Sequence, residues 1–349
     1  MKQKKEKKLI RFVKRILACL KRLRVRKYDS KYSKKTFGNW IHIVLLALKQ
    51  HMDKSYRRFC EIMEVCTELI VLLGIAKVPH FTTLQHAAKK LNIRFLERIM
   101  AGFILFTMIL NVRTGIDATG LQPTRASAHY VKVLKRDAKS RRKVRNYIKL
   151  TIFADLDKQL IISQKIRRSP ANDNRDFKPV VRKGKKVLDK ANKRTRSLDA
   201  DKGYDSEENH KLVAEELQAE DRIKVKNKDV PVWRTRGQYR KKAKRRINRL
   251  KANYRSKNES INSVIKRLYG STVRSIKVSM QNKEVLFKEI AYNAERSLAS
   301  FLYILRMYTK PCTQKAYIPK NKKAGHGQGR HRKIQEVRNM RFRPGKDRL

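Results

Sequence analysis

Acidic side chains are scarce: 30 Asp and Glu stand against 89 Lys and Arg in 349 residues, leaving a formal charge of +59. Solubility requires nothing of that size, so the excess implies a polyanionic partner, nucleic acid first among them. Passive basic binders carry the same excess, and charge by itself does not separate an enzyme from them. Long apolar runs are missing as well. The longest, residues 100–110 (MAGFILFTMIL), is about half of the ~20 residues a bilayer-spanning helix needs, and reads as a buried strand or helix with no membrane partner. The first residues, MKQKKEKKLIRFVKRILACLKRL, have neither an uninterrupted apolar core nor a small-residue cleavage site, so no secretory signal is expected and the chain is placed in the cytoplasm. Cysteine is sparse. Cys19, Cys60, Cys66 and Cys312 are widely scattered and lack the paired spacing of metal ligands, so they are read as reduced and structural.

What is present is enough to build two or three folded units, since 40% of the residues are hydrophobic and spread along the chain. Residues 2–49 alternate basic and apolar runs, the pattern of helices with one wet, positive face. Residues 55–73 carry apolar side chains at helical spacing, with Gly74 as a stop, Pro79 as a breaker, Thr82 or Thr83 as a cap, and a helix over 84–100. Such short basic helices suit a DNA-end-binding module, with helix-turn-helix as one form of it, and suit equally a plain helical cap on the next domain. Near Asn111 the period changes to that of strands: one through Gly115-Ile116-Asp117, one over 147–154 and one over 159–166, the last two joined by a hairpin turn at residues 155–158. A helix near 177–192, a short strand toward Leu198, a helix over 206–217 opened by Ser-Glu-Glu and a strand over 222–226 follow, making a mixed α/β unit. The organisation read from this is a basic helical region at 1–104, an α/β domain at 105–308 and a basic, flexible tail at 309–349.

Between Asp229 and Glu259 lie twelve Lys or Arg and no carboxylate. Arg240, Lys241, Lys242, Lys244, Arg245 and Arg246 form its densest part and are expected to hold a phosphate backbone, although a solvated helix face has the same composition. Trp233 and Tyr239 inside the strip could stack on an unpaired base.

Chemistry on a phosphodiester needs an activated oxygen nucleophile, a stabilised leaving oxygen and relief of charge at phosphorus, which two Mg2+ (or Mn2+) ions supply together when a few carboxylates converge from different elements. Asp117, in GIDATGL, leaves a buried strand beside small residues that give a metal room. Asp201, in LDADKGYDS, ends a short strand where Gly203 allows a tight turn, with Asp199 and Asp205 as competitors; strand alternation puts Asp199 and Asp201 on one face and does not choose between them. Glu259 lies on a helix. At roughly 100° per residue from Arg255 it falls near 40° and Lys266 near 20°, while Ile261, Val264, Ile265 and Leu268 lie opposite, between roughly 180° and 280°. Alone, that is also an ordinary amphipathic helix with a surface ion pair.

Taken together these motifs resemble the DDE transposases of insertion sequences, in the group with a Tyr-Arg-Glu-Lys signature. Asp117 in its Ile-Asp-Ala-Thr strand, Asp201 before Lys202-Gly203-Tyr204, and Arg255, Glu259 and Lys266 at intervals of four and seven occur in the family's order. Tyr56-Arg57-Arg58-Phe59 and Val78-Pro79-His80-Phe81-Thr82-Thr83-Leu84 look like the helical region before the catalytic domain, so the resemblance spans about residues 40–300. It selects Asp201 over Asp199. One departure stands: where the signature has Tyr, this chain has Ala252, and Tyr254 faces the apolar side of the helix. The resemblance implies an RNase H-like mixed sheet with flanking helices after an α-helical N-terminal region. It further implies catalytic and metal-binding roles for Asp117, Asp201 and Glu259, and phosphate contacts from Arg255 and Lys266. Transposon inverted repeats and target DNA are the partners it implies, with a homodimer near the nucleoid as the acting form. Asp173 is an accessory candidate read as a turn former. A metal-dependent endonuclease of the same fold and an inactive basic DNA binder are the rivals.

Overall fold

The computed structural model describes residues 6–28, 30–32, 35–123, 148–168, 172–227, 229–247 and 255–309, with the side chains of 247, 255, 256 and 299–309 outside that description. The tail from residue 310 on, Cys312, Ala252, Tyr254 and the side chain of Arg255 therefore lie outside the described residues. Six helices come first: α1 (Lys8–Arg22), α2 (Asn39–His51), α3 (Tyr56–Val65), α4 (Thr67–Leu73), α5 (Phe81–Lys90) and α6 (Ile93–Gly102). The sequence pattern of α1 accounts for its place: Phe12, Val13, Ile16, Cys19 and Leu20 repeat every three or four residues and are buried, while Lys8, Lys14, Lys21 and Arg22 are exposed and Arg15 is half-buried. Gly74 ends α4 in the left-handed conformation, φ 63°, as the stop at that position predicts. The single helix expected over 84–100 is two. Asn92 interrupts it, its side chain accepting the Arg94 N–H at 2.8 Å and capping α6, and Thr82 and Thr83 lie inside α5 instead of capping it, because His80 occupies the cap position.

The sheet follows, with β1 (Asn111–Pro123), β2 (Ile148–Asp155), β3 (Leu160–Arg167), β4 (Arg194–Ala200), β5 (Glu220–Ile223) and the short β6 (Thr272–Val273). The order is β3-β2-β1-β4-β5, antiparallel across β3-β2-β1 and parallel across β1-β4-β5, with β6 parallel to the end of β1. Interleaved are α7 (Asn174–Lys190), α8 (Glu207–Glu215), α9 (Gln238–Ile247), α10 (Arg255–Tyr269) and α11 (Val278–Thr309). This is the mixed α/β, RNase H-like architecture expected, with β5 opening two residues earlier than the apolar pattern suggested.

Alternation along the strands divides the core. Val112, Ile116, Phe153, Ile162, Leu198 and Ala200 face α7 and α8. Leu121, Ile148, Leu150, Ile152 and Ala154 face the opposite way, into one continuous cluster with α1 to α6, α10 and α11. The strand β2 is thus buried on both faces along its whole length. The strand β3 ends the sheet order, and Asn293 of α11 bonds both backbone groups of its Ile161: Oδ1 accepts the Ile161 N–H at 2.9 Å and Nδ2 donates to the Ile161 and Met100 carbonyls at 2.8 Å. No helix among the described residues is long and apolar enough to cross a membrane. Cys19, Cys60 and Cys66 are free thiols.

Candidate active site where one strand ends beside the middle of another

The parallel pairing of β1 with β4 sets Ile116 against Ala200, so Asp117 and Asp201 are the next residues on neighbouring strands, which lie about 4.8 Å apart. Asp201 is the first residue beyond β4, still extended at φ −77°, ψ 165°. Both are half-buried. Asp117 is held from two sides: the Ala118 N–H donates to its Oδ1 at 2.9 Å and the Asn262 amide to its Oδ2 at 2.8 Å.

Asn262 belongs to α10, which lies directly on β1 because Gly115 has no side chain. A Cβ there would stand 2.3 Å from Asn258 Nδ2 and 2.8 Å from Leu156 Cδ2. Asn258 and Asn262 are one turn apart, both buried, and Glu259 emerges between them, exposed. Asp117, Glu259, Asn262, Lys266 and Arg267 line one open groove of about 610 Å³. Asp117 also borders a small adjoining cleft with Asp199, Asp201, Arg222 and Asn258. Glu259 and Asp201 thus each line a cleft with Asp117, which sits in the middle of β1 instead of leaving the strand there as its apolar run suggested. Among the described residues no three His, Cys, Asp or Glu side chains are gathered as a ready metal cluster. The donor set fits hard divalent cations in kind, being carboxylate oxygen throughout.

Of the competing acids, Asp199 lines the same small cleft as Asp201 but is only 8% exposed, and burial pushes its carboxyl up to about 6 despite the nearby charges of Arg222 and Arg113. Asp173 precedes α7 without capping it; its Oδ1 meets the buried Lys149 Nζ at 2.5 Å, and its Oδ2 stands where a Cβ on Gly203 would come within 2.9 Å. Gly203 therefore serves close approach, not the positive φ that a turn glycine often supplies.

Asp205 is the centre of a clamp. Arg240 of α9 grips it with Nε at 2.8 Å and Nη2 at 2.7 Å, the Lys226 N–H donates at 2.8 Å, and His210 Nε2 lies at 3.0 Å with Nδ1 on Asp221 at 2.5 Å. Burial by itself would lower the His210 pKa, but its hydrogen bonds to Asp205 and Asp221 and their charges outweigh it and raise the value to about 9. Asp205 shows the mirror result: burial works to raise it, and the bonds from His210, Arg240 and Lys226 hold it far below the usual carboxylate range. At the start of α8, Glu207 takes the Tyr239 and Arg240 N–H groups at 2.9 and 3.0 Å, capping α9 from a neighbouring helix. Gly237 makes room for it with φ 93°, since a Cβ there would lie 2.0 Å from Glu207 Oε2.

The basic strip accordingly divides. Arg240 turns inward to Asp205, and the buried Lys244 donates to the Asn227 carbonyl at 3.0 Å and to that of Val230. Lys242, Arg245 and Arg246 are exposed and Lys241 half-buried. Tyr239 is tied to Glu215 through its hydroxyl at 2.5 Å, whereas Trp233 is 70% exposed with the Arg234 guanidinium 4.7 Å above its ring. On α10 the buried side is Ile261, Ile265 and Tyr269, while Leu268 is 45% exposed, contrary to the helix count, because the contact with β1 is centred on the Asn258 and Asn262 side. Sequence reasoning missed the roles of Gly115, Asn258 and Asn262. Their signal was a glycine inside a strand and asparagines at one residue before and three after the acid.

A family model described as "Transposase DDE domain" matches residues 113–294, just over half of the chain. No curated protein and no solved structure matches the chain.

Proposed function

The chain belongs to the family of transposases with a DDE domain, and we propose that it cuts and joins transposon ends by phosphodiester transfer at Asp117, Asp201 and Glu259. The observation that carries this reading is that Asp117, in the middle of β1, lies beside Asp201 just past the end of β4, with Glu259 lining the same groove as Asp117. Two divalent cations, Mg2+ or Mn2+, supply Lewis acidity at phosphorus when bound, and these three carboxylates would hold them. Asn262 and the Ala118 N–H would hold the Asp117 carboxylate in place beside the groove. Lys266 and Arg267, lining the same groove, would neutralise the phosphates flanking the cut, with Arg255 at the start of α10. Lys241 and the exposed Lys242, Arg245 and Arg246 would follow the backbone away from it. Inverted-repeat ends and target DNA are the partners of this reading, and a homodimer at the nucleoid is the acting form, since two ends must be joined.

The test uses a labelled transposon-end duplex with purified full-length protein and Mg2+. Wild type should give cleaved ends and then joined product, whereas Glu259→Gln should bind the duplex and give neither. Cleavage without joining would make the protein a nuclease of the same fold, and binding without any metal-dependent cleavage would make it a passive binder.

A further inference from the structure

Lys49, Lys283, Glu284 and Lys288 are all buried where α2 and α11 meet the segment that follows β6. Backbone groups satisfy the last three. Lys283 donates to the Lys89 carbonyl at 2.6 Å, Lys288 to the Gly270 and Thr272 carbonyls at 2.8 and 2.7 Å, and Glu284 accepts the Arg274 and Ser275 N–H groups at 2.9 and 2.8 Å. Lys49 is the exception. It is 6% exposed, and among the described residues its ammonium has neither a hydrogen bond nor an ion pair. Its contact is the Tyr56 ring, whose centroid lies 4.6 Å from Nζ. A ring face engages one side of an ammonium that carries three donors, so most of its hydrogen-bonding capacity is unmet. Burial pushes the Lys49 pKa down to about 8; Glu284 and Asp53 oppose the fall, and Arg274 and Lys288 add to it.

Buried cations are normally paired, and this one lines a cavity. The cavity encloses about 360 Å³ between α2, the start of α3, α5, the segment 274–277 and the start of α11, and it shares no lining residue with the groove of Asp117. Leu46, Ala88, Met280 and Phe287 form part of its wall, next to the Tyr56 ring. An inorganic ion would lose its hydration against that apolar surface, so the wall and the unsatisfied ammonium together describe an apolar body with a negative head. The carboxylate of the wall, Glu284, disfavours a second negative charge beside it. The complement is therefore a monoanion, and the exposed Lys89 and Lys277 place positive charge at the rim through which it would enter.

We propose that this cavity binds a small amphipathic carboxylate, its head on Lys49 and its apolar part against Leu46, Met280 and Phe287. The site does not depend on the chemistry assigned to Asp117, Asp201 and Glu259.

The experiment titrates the full-length protein with octanoate, octanol and octylamine by isothermal calorimetry at pH 7, where Lys49 is charged. Octanoate should bind at least about tenfold more tightly than octanol, the discrimination that one charge-assisted hydrogen bond gives, and octylamine more weakly than either. Lys49→Met keeps the length of the side chain and removes its charge. It should bring octanoate down to the affinity of octanol and leave octanol unchanged, while Lys277→Met, at the rim, should preserve the preference. Octanoate should also raise the melting temperature of wild type and not that of Lys49→Met. Equal binding of octanoate and octanol by wild type, or octanoate bound alike by wild type and Lys49→Met, would overturn the proposal. Displacement of octanoate by an equal concentration of deoxyadenosine monophosphate would overturn it as well, since the cavity would then be a nucleotide contact. The comparison of octanoate with octanol needs no variant, and it decides the case even where Lys49→Met does not fold.

Discussion

A single missing methyl group lets α10, which carries Glu259, reach the sheet. Gly115 has an ordinary φ, so its requirement is space, and Gly115→Ala would drive a Cβ into Asn258 and Leu156 at 2.3 and 2.8 Å. Moving α10 outward to relieve this should cost about 1–3 kcal/mol, as overpacking does, and should carry Glu259 away from Asp117. Thermal unfolding is expected to shift downward while metal-dependent cleavage falls much further than duplex binding; a variant that melts and cleaves like wild type would show that α10 is not pinned here. Asn262→Ala tests the same contact from the other side. It removes the amide on Asp117 Oδ2 without a clash, and cleavage should drop roughly 10- to 100-fold with binding intact, the usual penalty for removing a partner that orients a metal-binding carboxylate. The proposed acids came from the family resemblance, which chose Asp201 over Asp199 and singled out Glu259 on what is otherwise an ordinary amphipathic helix. Asn258 and Asn262 could not be read from the sequence, since an amide beside an acid on a helix looks like any solvated side chain until the strand beneath it is known.

Between elements, the sequence was legible wherever one local rule decided the outcome. The apolar alternation gave β1 to β4, Gly74 gave the end of α4, and Ser206 capped α8 through its bond from the Asn209 N–H at 3.3 Å. It failed where partners distant in sequence decide. The inward turn of Arg240 and Lys244 is one case: nothing in QYRKKAKRRI says that two of its cations serve Asp205 and two backbone carbonyls. This clamp has a measurable pH signature. His210 titrates near 9 in the folded chain against an ordinary 6.5, so the folded state holds the proton more tightly. Its stabilisation is therefore complete below about pH 6.5 and is lost as the pH rises toward 9, about 3 kcal/mol at most by linkage. Asp205, held low by His210 and Arg240, stays ionised throughout that interval and adds no slope of its own. Urea unfolding from pH 6 to 9.5 should show wild type declining across this window, and His210→Gln should be less stable at pH 6 with the decline abolished. Parallel curves for the two proteins would remove His210 from the clamp.

For the molecule as a whole, the decisive fact is that the N-terminal helices and the sheet share one core. Leu121, Ile148, Leu150, Ile152, Ala154 and Ile161 on the sheet lie in the same cluster as Phe12, Ile16, Leu20, Ile43, Leu46, Phe59 and Leu96 of the helices. Polar links reinforce it: Asn293 joins Met100 to Ile161, Arg15 Nε donates to Ser297 Oγ at 3.0 Å, and the Cys19 thiol rests on the Ile99 carbonyl. Composition shifts and basic runs suggested a module at 1–104 that could equally be a DNA-end binder or a cap, because amphipathic helices reveal that they have an apolar face without revealing what it covers. The structure supplies the covered surface, and the roles proposed for the two regions need not follow separate folding units. A fragment of residues 105–308 would expose that whole sheet face and the inner side of α11 to water, at roughly 25 cal/mol per Å² of apolar surface, several times the margin by which most domains are stable. It should accordingly bind hydrophobic dye, lack near-ultraviolet circular dichroism and show no cooperative melting, whereas the full chain should melt in one transition seen alike by tryptophan fluorescence and far-ultraviolet signal. Mixing the fragment with a separate 1–104 peptide should restore the transition if the shared core is what was missing; a 105–308 fragment that melts cooperatively on its own would mean that the sheet is self-sufficient and that the helices merely rest on it.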